Sequence, residues 1–215
     1  MIKIGDIYSL NNMVYTDEIS DKHRKEMNVP LKHFEGFPLD NFMGNPPSSP
    51  QSSKTRNEIL KLNELVIDSD FVKQCDSIQD YFKEYCKSQD LEFPSDTIKQ
   101  YMDEMGSMVL ALKYLYNRPR PIQVAEHPLV NIPFKIDDVV TGHSPSYPSG
   151  HSAQGRFLSL YLSHLYPKHR YNFISLGDDI SYSRNVAHIH FPSDSKFGLQ
   201  LGNEFFKYLL KMRRL

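Results

Sequence analysis

The sequence predicts an all-α fold, a single-domain helical bundle, on three observations. Between Ser95 and Tyr116, apolar residues fall at Ile98, Met102, Met105, Val109, Leu112 and Tyr116, a spacing that gathers them on one face of a helix. Between Pro192 and Lys211, Phe197, Leu201, Phe205 and Leu209 recur every four residues. The alternation that marks half-buried strands is almost absent, and no composition break divides the 215 residues, so residues 1–215 read as one domain.

Residues 1–54 are rich in turn formers and end in Gly44–Ser53 (GNPPSSPQSS); they are expected to wrap a helical core formed by residues 55–215. A first helix is predicted from Thr55 to Val72, with Ile59, Leu62, Val66, Phe71 and Val72 near one face, and a second from Ser77 to Lys87. On that reading Cys75 and Cys86 lie about 16 Å apart along helix, too far to form a disulfide, and are expected as free thiols. The long helix starts at Ser95, read as an N-cap after Pro94, and carries Lys113 near its end; Arg118-Pro119-Arg120-Pro121 stops it. Ile122 to Tyr147 reads as a long loop bordering a pocket. Helix resumes from His151 to Leu165, with Phe157, Leu158, Tyr161, Leu162 and Leu165 facing inward, and again from Lys168 to Ala187 after Pro167. In the last helix Gly198 and Gly202 invite a close neighbour.

Lys plus Arg (25) nearly balances Asp plus Glu (26), so no global field recruits nucleic acid or an acidic membrane, and any selectivity for phosphate must be local. The start, MIKIGDIYSL, lacks the pattern of a signal peptide, and no apolar run approaches the roughly 18 residues needed to span a bilayer. A cytoplasmic protein without stable membrane insertion is expected.

Three segments carry chemistry: Lys113–Pro121 (KYLYNRPRP), Pro148–His151 (PSGH) and Ser183–Asp194 (SRNVAHIHFPSD). A phosphate monoester dianion needs donors fixed around its non-bridging oxygens, because stabilising that charge is most of the catalytic task. Lys113, Arg120 and Arg184 supply cations, two of them with the planar fork suited to paired oxygens. Ser149 adds a hydroxyl, and Gly150 leaves its N–H open to close approach at a helix start. His190, four residues before Asp194, can be oriented by that carboxylate and attack phosphorus. His151 can protonate the leaving oxygen and then activate water. Arg118 falls outside this register. A zinc reading of His188, His190, His143 and His151 is disfavoured, since three cations in one pocket would repel a metal. Asp137, Asp138, Asp178 and Asp179 read as caps or solvated faces.

Lys113, six residues, then Arg120-Pro121; Pro148-Ser149-Gly150-His151; and Ser183-Arg184, five residues, His190, three residues, Asp194 together resemble the three motifs of the type 2 phosphatidic acid phosphatase superfamily, in its order and internal spacing. Tyr147 before PSGH and the Pro46-Pro47 loop make the chain look most similar to soluble class A nonspecific acid phosphatases. The resemblance implies the all-α fold shared by those enzymes and vanadium-dependent haloperoxidases. It also implies metal-independent hydrolysis of small phosphate esters without a cofactor, a phosphohistidine on His190, and inhibition by vanadate as a phosphate mimic. Related soluble enzymes commonly form homo-oligomers. Two other activities in the same lineage are a vanadium-dependent haloperoxidase, whose members are usually much longer, and a lipid phosphatase working at a membrane surface.

Overall fold

One helix, Gly150–Leu165, organises the molecule, because three others carrying site residues pack against it. The computed structural model describes residues 4–138 and 142–214. In chain order the helices are α1 (Ile4–Asn11), α2 (Asp21–Met27), α3 (Asp40–Met43), α4 (Ser53–Asn63), α5 (Ser69–Asp76), α6 (Ile78–Ser88), α7 (Ser95–Tyr116), α8 (Pro121–Ala125), α9 (Gly150–Leu165), α10 (Arg170–Val186) and α11 (Pro192–Lys211), with a 3₁₀ turn at Pro167–His169. No strand occurs among the described residues, so the fold is all-α. No helix among them is long and apolar enough to cross a membrane.

The periodicity of α7 translates into burial: Ile98, Met102, Met105, Val109 and Leu112 all lie in the main core, joined by Phe157, Leu158, Tyr161 and Leu162 of α9 and by Leu201, Phe205 and Leu209 of α11. The two glycines of α11 do what their positions suggest. A Cβ on Gly198 would lie 2.5 Å from the Ser149 carbonyl oxygen, and one on Gly202 would be closer still to that of Ala153, so the backbones of α11 and α9 touch where a larger side chain has no room.

The first 54 residues do more than wrap. Phe34 is fully buried, its ring packing edge-on against Tyr101, Phe157 and Phe205. Buried Glu104 of α7 fixes this segment by accepting hydrogen bonds from the backbone N–H groups of His33 (2.8 Å) and Phe34 (3.0 Å).

Several boundaries differ from the periodic reading. The helix expected over Thr55–Val72 is two helices: α4 ends at Asn63, and Asp68 starts α5 by accepting the Phe71 N–H at 3.0 Å. Val66, in the connection, is 85% exposed rather than inward. The break follows from Asp68, whose short carboxylate bonds to the backbone two or three residues on and so favours a helix start over a helix interior. Cys75 and Cys86 therefore sit on separate helices, both buried and free. Pro94, rather than Ser95, occupies the cap of α7, and α9 begins at Gly150 with Ser149 as its N-cap. Leu165, the last residue of α9, is 40% exposed. The stretch expected as loop from Ile122 opens with α8, where Pro121 presets the first turn and the Gln123 side chain accepts the Arg120 N–H at 2.8 Å. Val139, Val140 and Thr141 of that stretch lie outside the described residues.

Candidate active site

The site is assembled from helix ends. Lys113 sits in the last turn of α7, which Asn117 terminates in the left-handed conformation (φ 45°), turning the chain so that Arg118 and Arg120 both point inward and are buried. Ser149 caps α9, its Oγ accepting the Ser152 N–H at 3.3 Å. Arg184 lies in the last turn of α10, and His188, with φ 57°, reverses the chain so that His190 and Phe191 lead into α11. Asp194 lies in the first turn of α11; its backbone carbonyl accepts the Ser149 N–H at 3.1 Å, joining the second and third motifs.

His190 is gripped at both ring nitrogens. Arg120 Nη1 donates to Nε2 at 3.1 Å, and Nδ1 faces Asp194 Oδ2 at 3.3 Å. Arginine has no acceptor and a carboxylate has no donor, so the partners place the proton on Nδ1 and leave the lone pair on Nε2. Burial, followed by the field of Arg120, pushes the His190 imidazolium well below its usual range, with the Asp194 hydrogen bond opposing. This favours the neutral ring, whose Nε2 lone pair accepts from the Arg120 guanidinium.

Asp194 is the most heavily tied residue of the site. Oδ1 takes a short hydrogen bond from Arg118 Nη1, and Oδ2 takes one from Ser146 Oγ and another from the Phe191 N–H at 2.9 Å. Burial alone would raise this carboxyl; Arg118, His190 and Ser146 outweigh it and hold the group well below the usual carboxylate range.

The cations crowd one another. Lys113 Nζ donates to the Pro145 carbonyl at 2.5 Å, Arg120 Nε to that of Ser144 at 2.9 Å and Arg120 Nη1 to that of Ile189 at 2.6 Å, while Arg184 pairs with Asp76 at 2.7 Å. Burial, and next the charge of Arg120, push the Lys113 ammonium well below its ordinary range, while burial takes Arg120 down to about 10 against the pull of Asp194. Such a cluster gains from an anion.

His151 Nε2 meets the Asp76 carbonyl oxygen at 3.0 Å, an acceptor only, so Nε2 holds the proton and Nδ1 the lone pair. Burial and then the Arg184 charge push its pKa down to about 3. Gly150 packs beside Lys113, where a Cβ would meet the Lys113 Cε at 4.0 Å. Ser149 also accepts from Ser152 Oγ at 2.9 Å, which in turn accepts from Ser181 Oγ at 2.8 Å; the Ser149 hydroxyl proton is thereby directed away from its helix.

Lys113, Arg120, Ser149, Gly150, His151, Arg184, His190 and Asp194 thus converge on one region. His188 and His127 are engaged elsewhere, whereas His143 borders the site. His188 faces the carbonyls of Lys135 (2.8 Å) and Leu65 (3.2 Å), His127 bonds Ser9 at 2.8 Å, and His143 lines a cleft of about 340 Å³ beside Arg120. Among the described residues no three His, Cys, Asp or Glu side chains gather as metal ligands would. Asp137, expected as a cap or on a solvated face, is buried within reach of the Arg184 charge. Four residues at the site were not anticipated. Arg118 falls outside the motif register, which selects Arg120, although both side chains turn inward; Glu58, Asp76 and Ser146 carry no local signal, since only the tertiary fold brings them here.

The model of the PAP2 superfamily matches residues 104–214, a span that holds all three motifs. The chain belongs to the PAP2 superfamily. An acid phosphatase of Zymomonas mobilis subsp. mobilis is 34% identical over 83 residues, which are 39% of this chain and 30% of that protein. The chain therefore aligns with less than a third of that relative's length. The crystal structure of a bacterial vanadium-dependent iodoperoxidase superposes with a TM-score of 0.48 at 16% identity, over 78% of this chain and 52% of that one. For a PAP2 chain, α4 and α5 matter beyond the matched span, since they deliver Glu58 and Asp76 to the motif residues.

Proposed function

We propose that this PAP2 protein is a phosphatase that hydrolyses small phosphate monoesters through a phosphohistidine on His190. One observation carries the reading: His190 turns Nε2 to Arg120 in a pocket of buried cations and Nδ1 to Asp194, an arrangement that directs the Nε2 lone pair into the pocket.

A phosphate dianion entering among Lys113, Arg120 and Arg184 exchanges the backbone carbonyl contacts of Lys113 and Arg120 for phosphoryl oxygens, and Arg120 Nη1 leaves Nε2 for one of those oxygens, while Arg184 is held beside it by Asp76. The Nε2 lone pair then attacks phosphorus as the ester P–O bond breaks, and Asp194 stabilises the positive charge developing on the ring. The two negative charges of the substrate offset the Arg184 and Lys113 fields, which add to burial in depressing His151; this favours a proton on Nδ1 in the complex, from where it passes to the leaving oxygen. In the second step neutral His151 takes a proton from water, which attacks phosphorus and returns His190 and inorganic phosphate. The Ser149 hydroxyl and the Gly150 N–H at the start of α9 add two further donors for the phosphoryl oxygens.

The test is a screen of phosphate esters, an aryl phosphate among them, at acidic and neutral pH in the presence of a chelator, with His190→Ala as control. Hydrolysis by the parent chain, its loss in the variant and inhibition by vanadate are expected. Full activity of His190→Ala overturns the mechanism.

A further inference from the structure

Behind Asp194 the site continues into a part of the chain that the PAP2 match does not cover. Glu58, on α4, is buried and accepts three hydrogen bonds: Ser193 N–H to Oε1 at 2.7 Å, Ser193 Oγ to Oε2 at 3.0 Å and Arg118 Nη2 to Oε2 at 3.2 Å. Arg118 has two more grips, donating from Nη1 to Ser193 Oγ at 2.8 Å and to Asp194 Oδ1. The Phe191 ring covers its guanidinium, 3.9 Å from the carbon to the ring centroid. One arginine fork is thus shared by two buried carboxylates, and the serine between them uses its hydroxyl once as acceptor and once as donor.

We propose that Glu58 and Arg118 are positioning residues that hold the Asp194 carboxylate against His190 and set how tightly the His190 ring binds a proton. The catalytic part of the inference rests on the reading of His190 as nucleophile; the electrostatic part does not. Charges alternate along the chain: Glu58 negative, Arg118 positive, Asp194 negative, then the neutral ring. Glu58 balances half of the demand on Arg118, so that Asp194 keeps enough of its own field to support a positive imidazole. Without Glu58, the Arg118 charge bears on Asp194 and His190 alone and the ring gives up its proton more readily. Without Arg118, two carboxylates remain and the ring holds its proton more tightly. The other charged groups around His190 are Lys113 from α7, Arg120 before α8, Arg184 from α10, Asp76 from α5 and His151 from α9; they are common to both variants, so opposite shifts isolate the relay.

The experiment uses the full chain with ¹⁵N-labelled histidine, following the His190 ring by NMR from pH 8 to pH 4, alongside the pH dependence of kcat on an aryl phosphate. Arg118→Gln is expected to protonate His190 at a pH higher than the parent by half a unit or more, an order-of-magnitude figure for one buried charge. Glu58→Gln is expected to move the acid limb of kcat the other way, to lower pH, with KM changed less than threefold, and Glu58→Asp to restore the parental limb. A histidine that protonates no earlier in Arg118→Gln, or a kcat limb that stays in place in folded Glu58→Gln, overturns the relay. If the parent hydrolyses no phosphate ester yet the ring shifts as stated, the relay stands and the phosphatase reading falls. Should the variants not fold, hydrogen exchange of the Arg118 Nη protons in the parent decides. Exchange at least tenfold slower than at exposed Arg213 supports the grip, and exchange as fast as at Arg213 overturns it.

Discussion

Gly198 of α11 lies directly against the carbonyl oxygen of Ser149, with no space for even one added carbon. Because Ser149 in turn donates its N–H to the carbonyl of Asp194 at 3.1 Å, this contact sets the separation of the second and third motifs. Gly198→Ala must therefore push two backbones apart. A loss of about 1–3 kcal/mol in stability is expected, with a fall in kcat because Ser149 and Asp194 move relative to each other. Gly44→Ala, at a position with nothing within 4 Å, is expected to leave the melting temperature almost unchanged. Thermal melts of the two variants side by side check this.

Asp194→Asn keeps the volume but offers His190 Nδ1 an uncertain partner and leaves Arg118 with Glu58 as its charged neighbour. Loss of the fixed tautomer is expected to lower kcat by roughly 100-fold to 10,000-fold. Breaking a buried ion pair from one side costs about 3–5 kcal/mol. Single-turnover kinetics and urea unfolding measure the two effects separately.

Crowded cations imply that anions stabilise the fold. Inorganic phosphate or vanadate is expected to raise the melting temperature in proportion to the logarithm of its concentration above saturation, as binding to the native state alone requires. Arg184→Ala is expected to weaken that response. Differential scanning fluorimetry across a phosphate series, at constant ionic strength, reads it directly; a flat response would remove the anion site.

The pH dependence of stability has a definite sign. His151 has a folded pKa of about 3 against 6.5, so the unfolded chain binds its proton first and stability falls as pH drops from about 6.5 towards 3. Asp194, depressed below its ordinary 3.8, extends the loss at the acid end, and His190 acts in the direction of His151. His151→Gln is expected to flatten the slope between pH 6.5 and 3 in a series of urea midpoints.

Burial pushes both thiols up to about 11, so Cys75 and Cys86 are expected to resist thiol–disulfide exchange with a small aryl disulfide at pH 8 in the native state and to react together on unfolding. Ellman titration with and without denaturant tests this.

Much of this could be read from the chain because α7 and α11 pair a regular apolar stripe with clear stops: Pro94 before one, the Arg118-Pro119-Arg120-Pro121 run after it, and Pro192 at the first position of the other. The motif residues were visible for a different reason, since their types and spacing within three short segments carry the signal; the structure places Lys113, Ser149, Arg184 and Asp194 at helix ends. The α4–α5 break was hidden because Val66 and Ile67 continue the apolar pattern while Asp68 interrupts it by capping, a competition that spacing alone does not weigh. Glu58 and Asp76 were illegible: each is an ordinary acid in its own helix, and it acquires a partner only when Arg118 and Arg184 arrive from 60 and 108 residues away.

The hold of Glu104 on His33 and Phe34 has a counterpart at the other end of the chain, where Arg214 donates to the His33 carbonyl at 2.7 Å and its own carbonyl accepts the Tyr101 hydroxyl at 2.9 Å. Head and tail are buckled together over α7. A fragment cut to residues 104–214 would keep every motif and lose Phe34, Ile59 and Phe82 from the interior, along with Glu58 and Asp76 from the site. The contacts that hold the chemistry in place thus extend over more of the chain than the piece that announces it.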